Sequence, residues 1–158
     1  MGYYTYYAGS FEINPILTKA EYHRLAQVVD FWNSEKIKTA AASDVFAPGL
    51  TPLTDDDRKF MASGLATPCT FNLHPDKIED VEEQVKGYQN EEGLRIAALW
   101  LDSNGHHLTG SVEWSGESND DSGTIFAGVV DGHNCLEFVQ DVKTNEGPSW
   151  QKGAKATV

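Results

Sequence analysis

YYTYYAGSFEI, residues 3–13, is dense in tyrosine and other β-favouring side chains and is interrupted by Gly9. Aromatic and β-branched residues suit a pleated, half-buried surface, so the stretch reads as a strand. A bend or bulge is expected where Gly9 breaks the run. Alternation places Tyr3, Thr5 and Tyr7 on one face and Tyr4 and Tyr6 on the other. Both faces carry rings. The expectation is a sheet strand with one face on a core and the other half covered, rather than a purely adhesive patch.

Working outward, Asn14-Pro15 ends this strand. TKAE, residues 18–21, has the spacing of a capping box, in which Thr18 and Glu21 each satisfy a free amide of the first helical turn. Tyr22, Leu25, Val28, Val29 and Trp32 then recur at helical spacing, which predicts an amphipathic helix over 19–33. KTAAAS (38–43) is compatible with more helix, FAPGLTPLT (46–54) is a loop, and Thr54 followed by three aspartates opens a short helix to about Ala62. CTFNL (69–73) reads as a short strand.

His74-Pro75 predicts a second long helix to about residue 92. Ile78, Val81, Val85 and Tyr88 would form its buried stripe, acids its other face, and Gly93 its end. LRIAALWL (94–101) is nearly continuous apolar sequence and reads as a central strand. DSNG (102–105) reads as a hairpin turn. Three further strands follow in HLTGSVEWSG (107–116), TIFAGVV (124–130) and NCLEFVQDV (134–142), with an acidic loop at 117–123 and a tight turn at Asp131-Gly132. The predicted fold is α+β: a mostly antiparallel sheet of about five strands with two main helices packed on one face. Residues 1–143 are read as a single domain and 144–158 as a loose C-terminal tail.

The 158 residues carry 24 acids against 12 Lys and Arg, a formal net charge of −12. Residues 76–92 hold seven acids against Lys77 and Lys86, and residues 102–123 hold five acids and no Lys or Arg. Such a surface repels phosphates, which argues against direct nucleic acid binding, and it attracts basic partners and cations. No apolar run reaches the ~20 residues of a membrane helix. The opening residues lack the basic-then-apolar order of a signal peptide, and Tyr6 stands where myristoylation wants Ser or Thr. Cys69 and Cys135 lie far apart and read as two thiols in a reducing compartment, with one disulfide not implied.

Glu113, Glu117, Asp120 and Asp121 have the hard oxygens that Ca²⁺ or Mg²⁺ want, but a solvated loop explains them more simply. His106, His107, His133 and Cys135 raise a zinc or Cys–His reading. Adjacent histidines point to opposite sides of a strand, however, and only His133 and Cys135 share a face. His23, on the first helix, reads as a surface residue. No phosphate loop, GxSxG or HExxH motif is present, and no cofactor is expected.

GYYTYYAGSFEINPIL (2–17) and LTGSVEWSGESNDDSGTIFAGVVDG (108–132) resemble segments of small uncharacterised proteins encoded by phages of actinobacteria. The shared features are a Gly-Tyr-aromatic-Thr strand leading to a turn, a Pro and a helix, and later a Thr-Gly strand, an acidic loop and a strand ending at a Gly turn. NPIL departs from the usual double proline, and residues 34–92 carry no resemblance. The resemblance implies a phage origin and a place in the cytoplasm of an infected bacterial host; it transfers no functional residues.

Together these readings predict an acidic binding protein that inhibits a host nucleic-acid-handling or defence complex of the CRISPR or restriction type. Its carboxylates would imitate nucleic acid phosphates toward a basic host protein or nucleoprotein complex. The candidate contact residues are Glu79, Asp80, Glu82 and Glu83 on the predicted second helix, with Glu113, Glu117, Asp120 and Asp121 on the hairpin. The alternatives are a virion or assembly component using exposed Tyr and Trp as anchors, or a small metal-dependent hydrolase. Homodimerisation stays open.

Overall fold

The structure is a computed structural model that describes residues 4–86, 90–116 and 122–140. The predicted α+β class holds, and the predicted tail lies outside the described residues. β1 (Tyr4–Asn14) leads to α1 (Lys19–Val28), β2 (Val29–Phe31), α2 (Ser34–Ser43) and α3 (Asp55–Arg58). Then come β3 (Thr67–Cys69), β4 (Asn72–Leu73), β5 (Lys77–Glu79) and β6 (Gln84–Lys86), followed by α4 (Asn90–Ser103), β7 (His107–Gly116), β8 (Ser122–Val130) and β9 (His133–Gln140). The main sheet has seven strands in the order β4-β5-β1-β7-β8-β9, with β6 also pairing β1. A separate parallel pair joins β2 to β3.

The tyrosine-rich strand organises this sheet. β1 pairs antiparallel with β7 from Thr5–Gly116 to Asn14–His107 without a break in register, so Gly9 introduces no bulge on that side. The extra residue lies in the neighbouring chain instead. Tyr6 opposes Gln84 and Ser10 opposes Glu79, so residues 7–9 of β1 face residues 80–83. Asp80 closes this bulge: its carboxylate accepts from the Gly9 and Glu82 backbone N–H groups, both at 2.8 Å. Gly9 has φ +127°, and a Cβ there would stand 2.8 Å from the Ser111 carbonyl oxygen. Close strand approach, rather than a bulge in its own strand, requires glycine at this position.

Two predicted elements are exchanged. Residues 75–86 form no helix: the backbone runs as β5, a bulge and β6 beside β1, and the last three residues of the predicted helix, 90–92, open α4 instead. Ile78 is fully buried opposite Phe11, flanked by half-exposed Lys77 and Glu79, a period of two rather than 3.6. Sheet pairing here overrides local helix signals. Residues 94–101 are conversely not a strand. They belong to α4, where Leu94, Ala97, Ala98 and Leu101 form a buried stripe with Trp100 while Leu99 is exposed. Gly93 lies inside this helix, and DSNG is its C-terminal end rather than a hairpin turn, with Gly105 at φ +80°.

The capping box forms as predicted: Glu21 N–H donates to Thr18 Oγ1 at 3.2 Å, and Thr18 N–H to Glu21 Oε1 at 3.0 Å. α1 stops at Val28, because Val29–Phe31 pair with Thr67–Cys69, so Trp32 is exposed rather than part of a buried stripe. Thr18→Ala should cost about 1 kcal/mol by urea denaturation; an unchanged midpoint would show that α1 is held by packing alone. Among the described residues α2 is the second of three helices of ten residues or more, against two main helices expected. Thr54 and Asp57 form another capping box on α3, which is shorter than predicted.

The helices and the inward face of the sheet share one core, whose largest fully buried side chains include Trp100, Phe11, Phe71 and Leu25. Phe71 meets Tyr7 at 5.1 Å and Phe11 at 6.3 Å between ring centroids. Cys69 and Cys135 are both free and buried. Burial pushes the Cys69 thiol up to about 12.

Candidate binding face

The alternation read from residues 3–13 gives the sheet two different faces. Thr5, Tyr7, Phe11 and Ile13 turn toward the helices and are buried; Tyr4 and Tyr6 turn away, 41% and 42% exposed. Register extends this outward face across the sheet. Ala8 pairs with Glu113, which pairs with Thr124 and through it Val139; Ser10 pairs with Ser111 and through it Phe126. Residues of these rows are exposed or half-buried on β1, β5, β7, β8 and β9. Tyr6, Ala8, Glu113, Ser115 and Thr124 line a shallow depression of about 370 Å³.

The predicted acidic residues are placed differently from one another. Glu79 is on β5 and faces outward beside Ser10, where Lys77 Nζ meets it at 2.8 Å and His74 at 3.5 Å. The Lys77 hydrogen bond holds the Glu79 carboxyl below its ordinary value. Asp80 is engaged by backbone amides as described. Glu82 and Glu83 are exposed in the bulge between β5 and β6, and Glu113 is exposed on β7. Glu82, Glu83 and Glu113 have no ion-pair partner among the described residues. Glu117, Asp120 and Asp121 lie outside the described residues. The acids of 79–83 therefore stand on a strand and the bulge that follows it, not along a helix: Glu79 is flanked by β4 and β1, and Asp80, Glu82 and Glu83 lie in the bulge. From ideal strand spacings, Glu79 and Glu113 are about 12 Å apart, on either side of β1. Glu12, exposed on β1 between Lys77 and Thr109, adds a carboxylate to the same face that the charge pattern did not single out.

The histidines do other work. His106 is buried, with Nδ1 2.6 Å from the Pro15 carbonyl oxygen and Nε2 2.7 Å from Glu21 Oε2, tying α1 to the start of β7. Burial pushes the Glu21 carboxyl up, but hydrogen bonds from Thr18 and His106 outweigh it and leave the carboxyl below its ordinary value. His107 is exposed on β7. His133 Nδ1 lies 3.0 Å from Asp102 Oδ2, whose other oxygen accepts from Asn134 N–H at 2.8 Å. His23 is buried rather than on the surface, and burial lowers its pKa. Among the described residues no group of three or more His, Cys, Asp or Glu side chains gathers to hold a metal ion.

The buried polar residues were the least legible in the sequence. Asn134 donates to the Ala98 and His106 carbonyls and accepts from Leu108 N–H at 3.0 Å, pinning α4 to β7 and β9. Nothing in NCLEF marks this asparagine apart from an apolar neighbourhood. Among the described residues no helix is long and apolar enough to cross a membrane. Comparisons with protein-family models, curated proteins and solved structures found no match to this chain.

Proposed function

We propose that this chain is a binding protein that docks a basic partner protein on the outward face and β5–β6 bulge of its sheet. The observation that carries this reading is exposed Tyr4 and Tyr6 on β1 with exposed Glu113 beside Ala8 on β7 and exposed Glu82 and Glu83 in the bulge facing residues 7–9, on a chain of net charge −12. Tyrosines supply amphipathic contact area at interfaces, and carboxylates around them steer a positively charged partner. The favoured partner class is a protein whose groove is built for nucleic acid phosphates. The phage resemblance narrows it to a defence or nucleic-acid-handling complex in the cytoplasm of an infected bacterium. Glu79 and Asp80 contribute less than a helical arrangement would have given, because Lys77 and backbone amides already hold them.

A pull-down from bacterial lysate at about 0.1 M and about 1 M salt tests this, since the screening length falls from about 10 Å to 3 Å. The captured partner should be lost at high salt, and Glu82→Gln/Glu83→Gln/Glu113→Gln should weaken capture at least about tenfold, equivalent to about 1.4 kcal/mol. Retention unaffected by salt and by the triple variant would reject charge-based docking. If Tyr4→Ala/Tyr6→Ala abolished capture while the charge variant did not, the assembly-component reading would stand instead. That reading has its own support in Phe46, 94% exposed in the loop after α2.

A further inference from the structure

The opposite, helix-facing side of the sheet contains a cleft of about 220 Å³ between the N-terminus of α4 and strands β1, β7, β8 and β9. Tyr7, Trp114, Ile125 and Phe138 give it mostly aromatic and apolar walls. The Trp114 indole packs close to Gly123, where a Cβ would come within 2.6 Å of the ring. Four polar side chains also line the cleft, Thr5, Asn90, Glu91 and Gln140, and of these Thr5 and Asn90 are buried, 3% and 2% exposed.

Neither buried group is satisfied. Thr5 Oγ1 and Asn90 Nδ2 are buried and have no hydrogen-bond partner among the described residues. The Asn90 amide cannot simply turn over, because its Oδ1 accepts from both the Thr70 N–H and the Thr70 hydroxyl at 2.5 Å. Its NH₂ is thereby left as a donor. Tyr7 is its nearest relief: burial pushes the phenol pKa up and an interaction with the Asn90 amide lowers it in part, but no acceptor meets Nδ2 at full hydrogen-bond distance and angle among the described residues. A buried unmade hydrogen bond is costly, and native folds satisfy the great majority of such groups. The pair is independent of the outward binding face, since Thr5 and Tyr7 alternate away from Tyr4 and Tyr6.

We propose that this cleft is a site for a small, uncharged, planar heterocycle that presents a carbonyl next to a ring N–H, the cis-amide edge of a lactam or pyrimidine-type base. The carbonyl accepts from Asn90 Nδ2, where the positive end of the α4 dipole also favours an acceptor. The ring N–H donates to Thr5 Oγ1. The ring plane packs among Tyr7, Trp114 and Phe138. The Glu91 carboxylate, itself part of the cleft lining, is matched by Arg95 at 2.8 Å, and Arg95 lies over the Phe138 ring at 5.3 Å, so the charge at the rim is balanced and suits a neutral ligand. An apolar cavity of about 150 Å³ takes up benzene; 220 Å³ leaves room for a substituted single ring.

Titration of the full chain with uracil and with 2-pyridone, followed by ¹H–¹⁵N spectra, tests the site, with benzene as a ligand of similar shape that lacks the polar edge. Saturable shifts at the Asn90 side-chain NH₂ and the Trp114 indole N–H are expected, with a Kd of about 1 mM for so few atoms. Benzene should bind at least about tenfold more weakly. Asn90→Asp keeps the acceptor used by Thr70 but removes the donor, and should weaken uracil binding at least about tenfold. Thr5→Val should also weaken it while raising Tm by about 2–4 °C, because it removes an unsatisfied hydroxyl. No saturable shift with either heterocycle, equal affinity for benzene, or a Thr5→Val protein that melts lower than the native one would overturn the proposal; the last result would mean that solvent already satisfies the hydroxyl.

Discussion

Asp57→Ala should destabilise the fold by about 3–5 kcal/mol, a large part of the stability of a domain this size. Asp57 is 1% exposed, and four donors converge on its carboxylate. Arg24 binds it in a fork, Nε to Oδ2 and Nη2 to Oδ1, both at 2.7 Å. The Thr54 N–H reaches Oδ2 at 2.8 Å, and the buried Trp100 indole donates to Oδ1 at 2.9 Å. Arg24 also lies over the Trp100 ring, 5.3 Å from its centroid. This one carboxylate therefore joins α1, the start of α3 and the C-terminal part of α4. Removing it strands a mostly buried guanidinium and leaves an indole N–H in the core without an acceptor.

Acid should reproduce part of this loss in the native protein. Burial by itself pushes the Asp57 carboxyl up, but the bonds from Arg24, Thr54 and Trp100 prevail and hold it far below the ordinary aspartate range. A group depressed in the folded state stabilises above its unfolded value, about 3.9, and that contribution is lost progressively as pH falls below it. Urea denaturation at pH 7 and pH 3 should therefore show the gap between native protein and Asp57→Ala narrowing at the lower pH. An equal gap at both would mean that the carboxylate's ionisation is not what stabilises the junction.

Gly93→Ala should also destabilise, against the usual sign. Within an exposed helix interior the change gains up to about 1 kcal/mol. Here a Cβ would stand 2.5 Å from the Pro68 carbonyl oxygen and 2.8 Å from Cys69 Cβ, so α4 would have to move away from β3. The expected loss is about 1–3 kcal/mol, the range for overpacking a rigid contact. Thermal denaturation reads it as a Tm drop of about 2–4 °C per kcal/mol. A rise in Tm would show that α4 and β3 are less tightly apposed than their backbone positions indicate.

Local signals were legible where one short-range interaction decides the conformation. The capping box at Thr18 and Glu21 needs only residues three apart, and α1 begins where that pair predicts. The turn at Asp131-Gly132 and the strands on either side follow from turn chemistry and β-rich composition. Thr5 and Tyr7 against Tyr4 and Tyr6 divide between the two faces as alternation requires. Residues 75–101 were misread for a common reason. Their apolar positions fit more than one period: Ile78, Val81 and Val85 mimic a helical stripe, and Ile96 and Leu99 conceal the real stripe of Leu94, Ala97, Ala98 and Leu101.

The candidate sites were less legible than the fold. Charge clustering drew attention to Glu79 and Asp80, yet Lys77 engages Glu79 because 77–79 is a strand with both on one face, and Asp80 is engaged by the Gly9 amide, 71 residues away in sequence. Thr5 and Asn90, the pair at the cleft, are 85 residues apart and ordinary in type. Nothing marks either until burial leaves it without a partner.

Amino-acid order alone settled the α+β class, the first helix cap, the closing β8–β9 hairpin and the alternating character of the tyrosine strand, because each depends on neighbours a few residues away. Tertiary structure decided that 77–86 would pair along β1 while 90–103 coiled into a helix over the core. It also decided which carboxylates stay exposed and which polar groups are buried unmet. Those outcomes depend on the hydrogen bonds and apolar area that distant segments offer, and short-range periodicity carries no record of them.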